Sequence, residues 1–154
     1  MKIVSPNIIN DLKKQKKKIV MCHGVFDVIH SGHIDYLLSA KQLGGEGAIL
    51  IVSVTNDKYV NKGPERPIFK IHERLKVLNS LSFVDYMLVS NELTAENSIK
   101  FIKPNIYCKG LDYKNKKNSD VNLKKEISTL KKNNGSFKVV TTPLHSSSKI
   151  INKL

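Results

Sequence analysis

"IVMCHGVFDVIHSGHIDYLLSAKQLG", residues 19–44, changes its periodicity partway along. Ile19–Cys22 is an unbroken apolar run, as expected of a strand buried on both faces. From Gly32 onward Ile34, Leu37, Leu38, Lys41 and Gln42 recur at helical spacing, and Gly44 marks the stop. Between the two lies "HGVFDVIHSGH", 23–33, which carries three of the five histidines of the chain. A strand that feeds a helix through a polar loop is the opening unit of a parallel α/β sheet.

The same alternation continues outward. Residues 7–18 read as a short amphipathic helix ending in lysines. "AILIVSV", 48–54, reads as a buried strand, and "NDKYVNKGPERP", 56–67, as a polar loop punctuated by Gly63, Pro64 and Pro67. Helix is expected over 73–82, strand over 84–89, and helix over 94–102 with Thr94 as its cap and Pro104 beyond its end. "NIYCKG", 105–110, is a short strand, 119–135 a capped helix, 137–142 the last strand, and 146–154 a helix start.

This predicts a Rossmann-like α/β fold: a parallel five-stranded sheet of order 3-2-1-4-5 with helices on both faces. The 154 residues suit a single domain, 1–154, with 1–18 as an N-terminal helix and lysine-rich lead-in. No internal repeat is visible. In that order the first and fourth strands are neighbours, so Cys22 and Cys108 should lie close together at the same edge. Ligands of such sheets bind beyond the carboxyl ends of the strands. The polar loops after the strands therefore converge on one rim.

Composition narrows the function. Lys plus Arg is 26 against 13 acids, a net charge of +13. Such an excess invites nucleic acid. The lysines, however, are dispersed over 13–18, 114–117, 124–125 and 131–132, aromatics are few, and no recognition motif accompanies them. No nucleic-acid partner is expected, and an anionic small substrate fits the charge equally well. Only Arg66 and Arg74 are arginines, so each stands where a planar, bidentate fork has a use. The N-terminal stretch has no apolar segment of a secretory leader, and no run approaches membrane-spanning length, so no membrane partner is expected. Two cysteines make no disulfide scaffold, and a cytoplasmic setting is the expectation.

The histidine loop admits three chemistries. A metal site would need more ligands than His30 and His33 three residues apart, and no cysteine pair or HExxH supplies them, so no residue is assigned to direct metal ligation. General acid–base work lacks a visibly paired nucleophile. A phosphate grip fits best: Gly24 lets the backbone approach a ligand, Gly32 opens a helix whose free N–H groups favour an anion, and two imidazoles stand in that first turn. No GxxxxGK[ST] is present, and "GGEG", 44–47, lacks the dinucleotide spacing. On the residues alone, Asp27 reads equally as a loop cap, Arg74 as a surface partner of Glu73 or Asp85, and the serine run as a plain helix start.

"GVFDVIHSGHIDYLLSAKQLG" resembles the HxGH segment of the nucleotidyltransferase superfamily, in its cytidylyltransferase-like branch. The resemblance extends through "NKGPERP", "ERLKVLNSLSFVDY", "KPNIYCKGLDY" and "SSSKIIN", in the order seen in the adenylyltransferase domain of bacterial heptose-phosphate enzymes. It implies transfer of a nucleoside monophosphate from an NTP, with Mg²⁺, to a sugar phosphate such as a heptose 1-phosphate, with release of pyrophosphate. By similarity His30, His33 and Lys62 are catalytic. Gly24, Val25, Phe26, Gly32, Arg66, Lys109, Gly110, Asp112, Tyr113, Ser146, Ser147 and Ser148 would hold the nucleotide. Asp27, His23 and Arg74 would meet the substrate. The partners implied are an NTP and a phosphorylated sugar or polyol, with a homodimer and a fused or separate sugar-kinase-like domain as recurrent companions in the family. Glycerol-3-phosphate cytidylyltransferases are similar at HxGH and around Arg74 but less so elsewhere. They stand as the CTP-dependent alternative, beside a non-catalytic nucleotide-binding module. The arginine that precedes the serine motif in cytidylyltransferases is replaced near Thr141, which favours AMP over CMP transfer. Where relatives often carry Thr-x-Gly or an Asn before the first glycine, this chain has Cys22-His23-Gly24, so His23 is a departure.

Overall fold

The computed structural model describes residues 1–116 and 119–141. Its elements follow as α1 (Pro6–Lys14), β1 (Ile19–Gly24), α2 (Ser31–Leu43), β2 (Ile49–Thr55), α3 (Ile71–Ser80), β3 (Tyr86–Ser90), α4 (Glu96–Ile102), β4 (Ile106–Lys109), α5 (Val121–Lys132) and β5 (Ser136–Val139). All strands are parallel, in the order β3-β2-β1-β4-β5, as the alternation of periods predicts. Cys22 and Cys108 are direct partners across β1 and β4, which confirms the shared edge.

Side chains alternate across a strand. Val20, Cys22, Leu50 and Val52 therefore meet α2 and α3 through Leu37, Ala40, Leu75 and Leu78. Ile19, Met21, Ile51 and Tyr107 meet α1, α4 and α5 through Ile9, Leu12, Ile99 and Leu130. Both faces of the sheet are covered, which explains why its strands read as continuous apolar runs rather than alternating ones. Asp85 ties the layers together: its Oδ2 accepts from Lys41 Nζ and from the Leu50 N–H, both at 2.7 Å. Among the described residues no helix is long and apolar enough to cross a membrane.

Several boundaries differ from the sequence reading, each for a local reason. α1 stops at Lys14 because Lys16 turns left-handed (φ 54°), and the Lys17 N–H closes back on the Leu12 carbonyl. This ending usually carries glycine, so a lysine run conceals it. α3 begins at Ile71, with Glu73 reaching back to the Lys70 N–H at 2.9 Å rather than starting the helix. Ala95 rather than Thr94 holds the N-cap position of α4, its N–H donating to Glu126, while Thr94 Oγ1, one residue earlier, accepts from the Glu96 N–H at 3.4 Å. Gly44 does end α2, but with right-handed backbone. A Cβ there would stand 2.5 Å from the Ala48 Cβ and 2.7 Å from Val20, so close packing, not a turn, requires glycine. The helix expected over 146–154 lies outside the described residues.

Candidate active site

β1 ends at Gly24, and the chain returns to start α2 seven residues later. His30 occupies the N-cap of α2 with extended backbone, and its carbonyl accepts from the His33 and Ile34 N–H groups. One helical turn then brings the imidazoles of His30 and His33 together, ring centroids 4.0 Å apart and tilted by 37°. Burial, reinforced by His30 and Lys62, lowers the His33 pKa to about 4. His33 is therefore a neutral imidazole near pH 7, a hydrogen-bond donor that needs no added proton. Its Nδ1 is buried with no hydrogen-bond partner among the described residues.

The loop that aims these rings is strained. Phe26 is left-handed (φ 50°), which costs a bulky residue about 1–3 kcal/mol and persists only where packing over-determines it. The residue is 3% exposed, and its ring stands edge-on against His33 with centroids 5.5 Å apart. It also lies 3.1 Å from the place a Gly24 Cβ would occupy. The space that Gly24 leaves thus admits the Phe26 ring, which in turn backs His33.

Asp27, Arg66 and Arg74, expected to meet substrate or nucleotide, do not line the cavity. Asp27 is buried, and its carboxylate accepts from Arg66 Nε (2.8 Å), the Ile68 N–H (3.0 Å) and the Phe69 N–H (2.9 Å). Burial opposes its ionisation, but those two amides and the Arg66 guanidinium outweigh it and hold the carboxyl below its usual range. Asp27 and Arg66 together anchor the loop that carries Lys62. Arg74 is 1% exposed. Its guanidinium donates to the carbonyls of Phe69 (3.0 Å), Val25 and Thr55 (2.8 Å) and to Asp57 Oδ1 (2.7 Å). It pairs with neither Glu73 nor Asp85. It fastens the ends of β1 and β2 to the start of α3, where the Asp57 carboxylate also accepts from the Ile71 N–H.

The remaining described candidates converge on one cavity of about 710 Å³ beyond the carboxyl ends of β1, β2 and β4. Gly24, Val25, Phe26, His30, Gly32 and His33 line its central wall. Lys62 stands on the β2 side, and Lys109, Gly110, Asp112 and Tyr113 on the β4 side. Ser146, Ser147 and Ser148 lie outside the described residues. His23 reaches the floor: Nδ1 is 3.0 Å from Ser53 Oγ, which lies 2.9 Å from Ser98 Oγ. Burial, with the charge of Lys109, lowers its pKa to about 3, so its imidazole is neutral.

Sequence reasoning missed the α5 wall, formed by Asp120, Asn122 and Glu126. One signal was legible: Glu126 shares the apolar stripe of Leu123 and Leu130, an acid where a core residue belongs. It is 4% exposed and accepts from the Ala95 N–H at 2.8 Å and the Tyr107 hydroxyl at 2.9 Å.

The two depressed histidines, His23 and His33, carry a pH signature. Between pH 6.5 and their folded pKa values the unfolded chain binds protons that the native chain refuses. Stability is therefore complete above about pH 6.5 and falls on acidification, by about 1.4 kcal/mol per pH unit for each imidazole at full effect. Urea midpoints should hold level from pH 7.5 to about pH 6.5 and decline from there to pH 4.5, and His23→Asn should flatten part of the slope. Midpoints that stay level between pH 7 and pH 5 would contradict the burial of these rings.

Comparison with known proteins bears on this geometry. The cytidylyltransferase-like family model matches residues 21–153. The bifunctional protein HldE of a Nitratiruptor species is 43% identical over 122 residues, 78% of this chain and 26% of that protein. The bifunctional protein HldE of Campylobacter concisus is 41% identical over 117 residues, 75% of this chain and 24% of that protein. The chain thus spans about a quarter of the length of these curated relatives. The crystal structure of the lipopolysaccharide core biosynthesis protein from Thermoplasma volcanium GSS1 superposes with a TM-score of 0.63 at 28% identity, covering 84% of this chain and 98% of that one.

Proposed function

Because the chain belongs to the cytidylyltransferase-like family, and is by that membership a nucleotidyltransferase, we propose that its cavity joins a nucleoside monophosphate from an NTP to the phosphate of a sugar or polyol phosphate. An oxygen of the acceptor phosphate attacks the α-phosphorus. The new P–O bond forms as the α–β bridging bond breaks, and pyrophosphate leaves with the bond's electron pair. The observation that carries this reading is the stacked pair His30 and His33 at the N-terminus of α2, on the cavity wall.

The reaction asks for position and charge stabilisation rather than a covalent nucleophile. His33 and His30 donate to the α-phosphate oxygens, where the free N–H groups of the first turn of α2 add to the same field. Lys62 meets the departing pyrophosphate. Ser146, Ser147 and Ser148 hold the nucleotide phosphates, as the resemblance implies. Asp27, Arg66 and Arg74 act through the loops they fix. Among the described residues no three His, Cys, Asp or Glu gather as a metal cage. Mg²⁺ entering with the NTP would be held chiefly by phosphate and water oxygens and would supply neutralisation of phosphate charge.

AMP is favoured over CMP because the arginine that cytidylyltransferases carry before the serine motif is missing, with Thr141 near its place. A sugar acceptor, heptose 1-phosphate first, draws support from the likeness to the lipopolysaccharide core biosynthesis protein. The relatives are bifunctional and much longer, so a sugar-kinase-like domain, fused or separate, is the natural source of the phosphorylated acceptor.

The test is a pyrophosphate-release screen that crosses four NTPs, with Mg²⁺, against sugar 1-phosphates and polyol phosphates. ATP with a heptose 1-phosphate should give the highest kcat/KM. Preference for CTP with glycerol 3-phosphate would replace the acceptor and base assigned here, and release with no pair would end the reading.

A further inference from the structure

Lys109 closes β4 one residue beyond the Cys22–Cys108 register, on the face shared with His23 and Tyr107. It is 7% exposed and lines the cavity. Its ammonium makes no hydrogen bond or ion pair among the described residues; its neighbours are the faces of Tyr113, 4.7 Å from the ring centroid, and Tyr107, 5.6 Å. Burial lowers its pKa, and the carboxylates Glu126, Asp112 and Asp120 act in the opposite direction. Glu126 is already satisfied by the Ala95 amide and the Tyr107 hydroxyl. A lysine this buried whose ammonium has no hydrogen-bond or ion-pair partner among the described residues is costly unless a ligand supplies one.

The surroundings say which ligand. Asp120 and Glu126 place carboxylates on the α5 wall, which disfavours a polyphosphate there. The other half, with two imidazoles, Lys62 and the start of α2, suits phosphates. Asp120 spends Oδ1 on the Leu123 N–H and has no second described partner, and exposed Asn122 makes no described hydrogen bond. The α5 side therefore offers a buried donor beside open acceptors. A hydroxyl, which accepts and donates at once, matches both.

We propose that the hydroxyl-bearing body of the acceptor binds at this α5 end, on Lys109, Asp120 and Asn122. The proposal rests on the nucleotidyl-transfer reading above and departs from the resemblance, which puts Lys109 with the nucleotide. A site built to pair with substrate hydroxyls rejects analogues that lack them, because its buried polar group is then left bare.

Lys109→Met and Asn122→Ala test it. Each should raise KM for a heptose or hexose 1-phosphate, the first at least tenfold, with KM for the NTP within twofold of wild type. Lys109→Met should also unfold at the same temperature as wild type or higher, since it removes a buried charge with no hydrogen-bond or ion-pair partner among the described residues. A rise in KM for the NTP with acceptor KM unchanged would assign Lys109 to the nucleotide and overturn the proposal. So would unchanged constants, or a lower unfolding temperature with both KM values raised together. Titration of glucose 1-phosphate and heptose 1-phosphate into the nucleotide-free protein, followed by tyrosine fluorescence, separates this from failure of the reaction itself. If wild type releases no pyrophosphate yet binds a sugar phosphate that Lys109→Met does not, the subsite stands and the reaction reading falls. Equal binding by both proteins overturns the subsite.

Discussion

Replacing His33 by alanine is expected to lower kcat by about 10²–10³, with KM for the NTP changed far less. One preorganised donor aimed at charge that develops in a transition state is worth about 3–4 kcal/mol. His33 meets the conditions for that value. It is fixed by the α2 backbone, stacked on His30 at 4.0 Å and backed by the Phe26 ring at 5.5 Å. It is also neutral, so its donor N–H is present without a protonation step. His33→Gln, which keeps an N–H donor on a longer and less constrained chain, should recover part of the loss. Single-turnover measurements separate the chemical step from product release. A His33→Ala protein with wild-type kcat would show that the histidine pair serves structure, and the non-catalytic alternative would return.

The second large effect is on stability. Arg74→Met should cost about 3–5 kcal/mol, the scale for breaking a buried ion pair from one side. The carbonyls of Val25 and Thr55 lose a donor, and Asp57 loses its ion-pair partner. Against a typical stability of about 5–15 kcal/mol, a loss of that size takes a large share of the total. Urea unfolding reads it directly. Val25 and Thr55 also line the cavity, so the folded fraction should show a lower kcat/KM even below the unfolding transition. Arg74→Lys should recover little, because a point charge cannot replace four bonds from one planar fork. A variant within about 1 kcal/mol of wild type would mean that the clamp is dispensable.

Arg74 also marks where sequence reading ends. Its rarity pointed to a use for the guanidinium fork, and the structure supplies one, but the fork holds the protein's own backbone rather than a substrate. The partners that decide this, Val25 and Thr55, lie 49 and 19 residues away in sequence. Asp27 is similar: the motif placed it beside a ligand, and Phe69, 42 residues on, accounts for its carboxylate. Glu126 left a faint signal as an acid in an apolar stripe. Lys109 left none beyond its motif, because a buried lysine is legible only when the lack of a partner can be seen.

The sequence by itself determined the parallel sheet, its strand order, the Cys22–Cys108 adjacency and the wall that joins Gly24, His30 and His33. The elements and the wall follow from short-range causes, since side chains alternate in a strand, recur every 3.6 residues in a helix, and place the turn before a helix N-terminus beside its free amides; the order and the cysteine adjacency follow from the doubly wound topology that strand–helix alternation implies. Tertiary structure alone decided which charges line the cavity and which pair within the fold. Asp27 pairs with Arg66 and two backbone amides, and Arg74 with three carbonyls and Asp57, whereas Lys109 lines the cavity with Asp120 and Asn122. The physical reason is that a charge takes the partner nearest in space, and that distance is set only when the ends of β1, β2 and β4 and the start of α5 are brought to one rim.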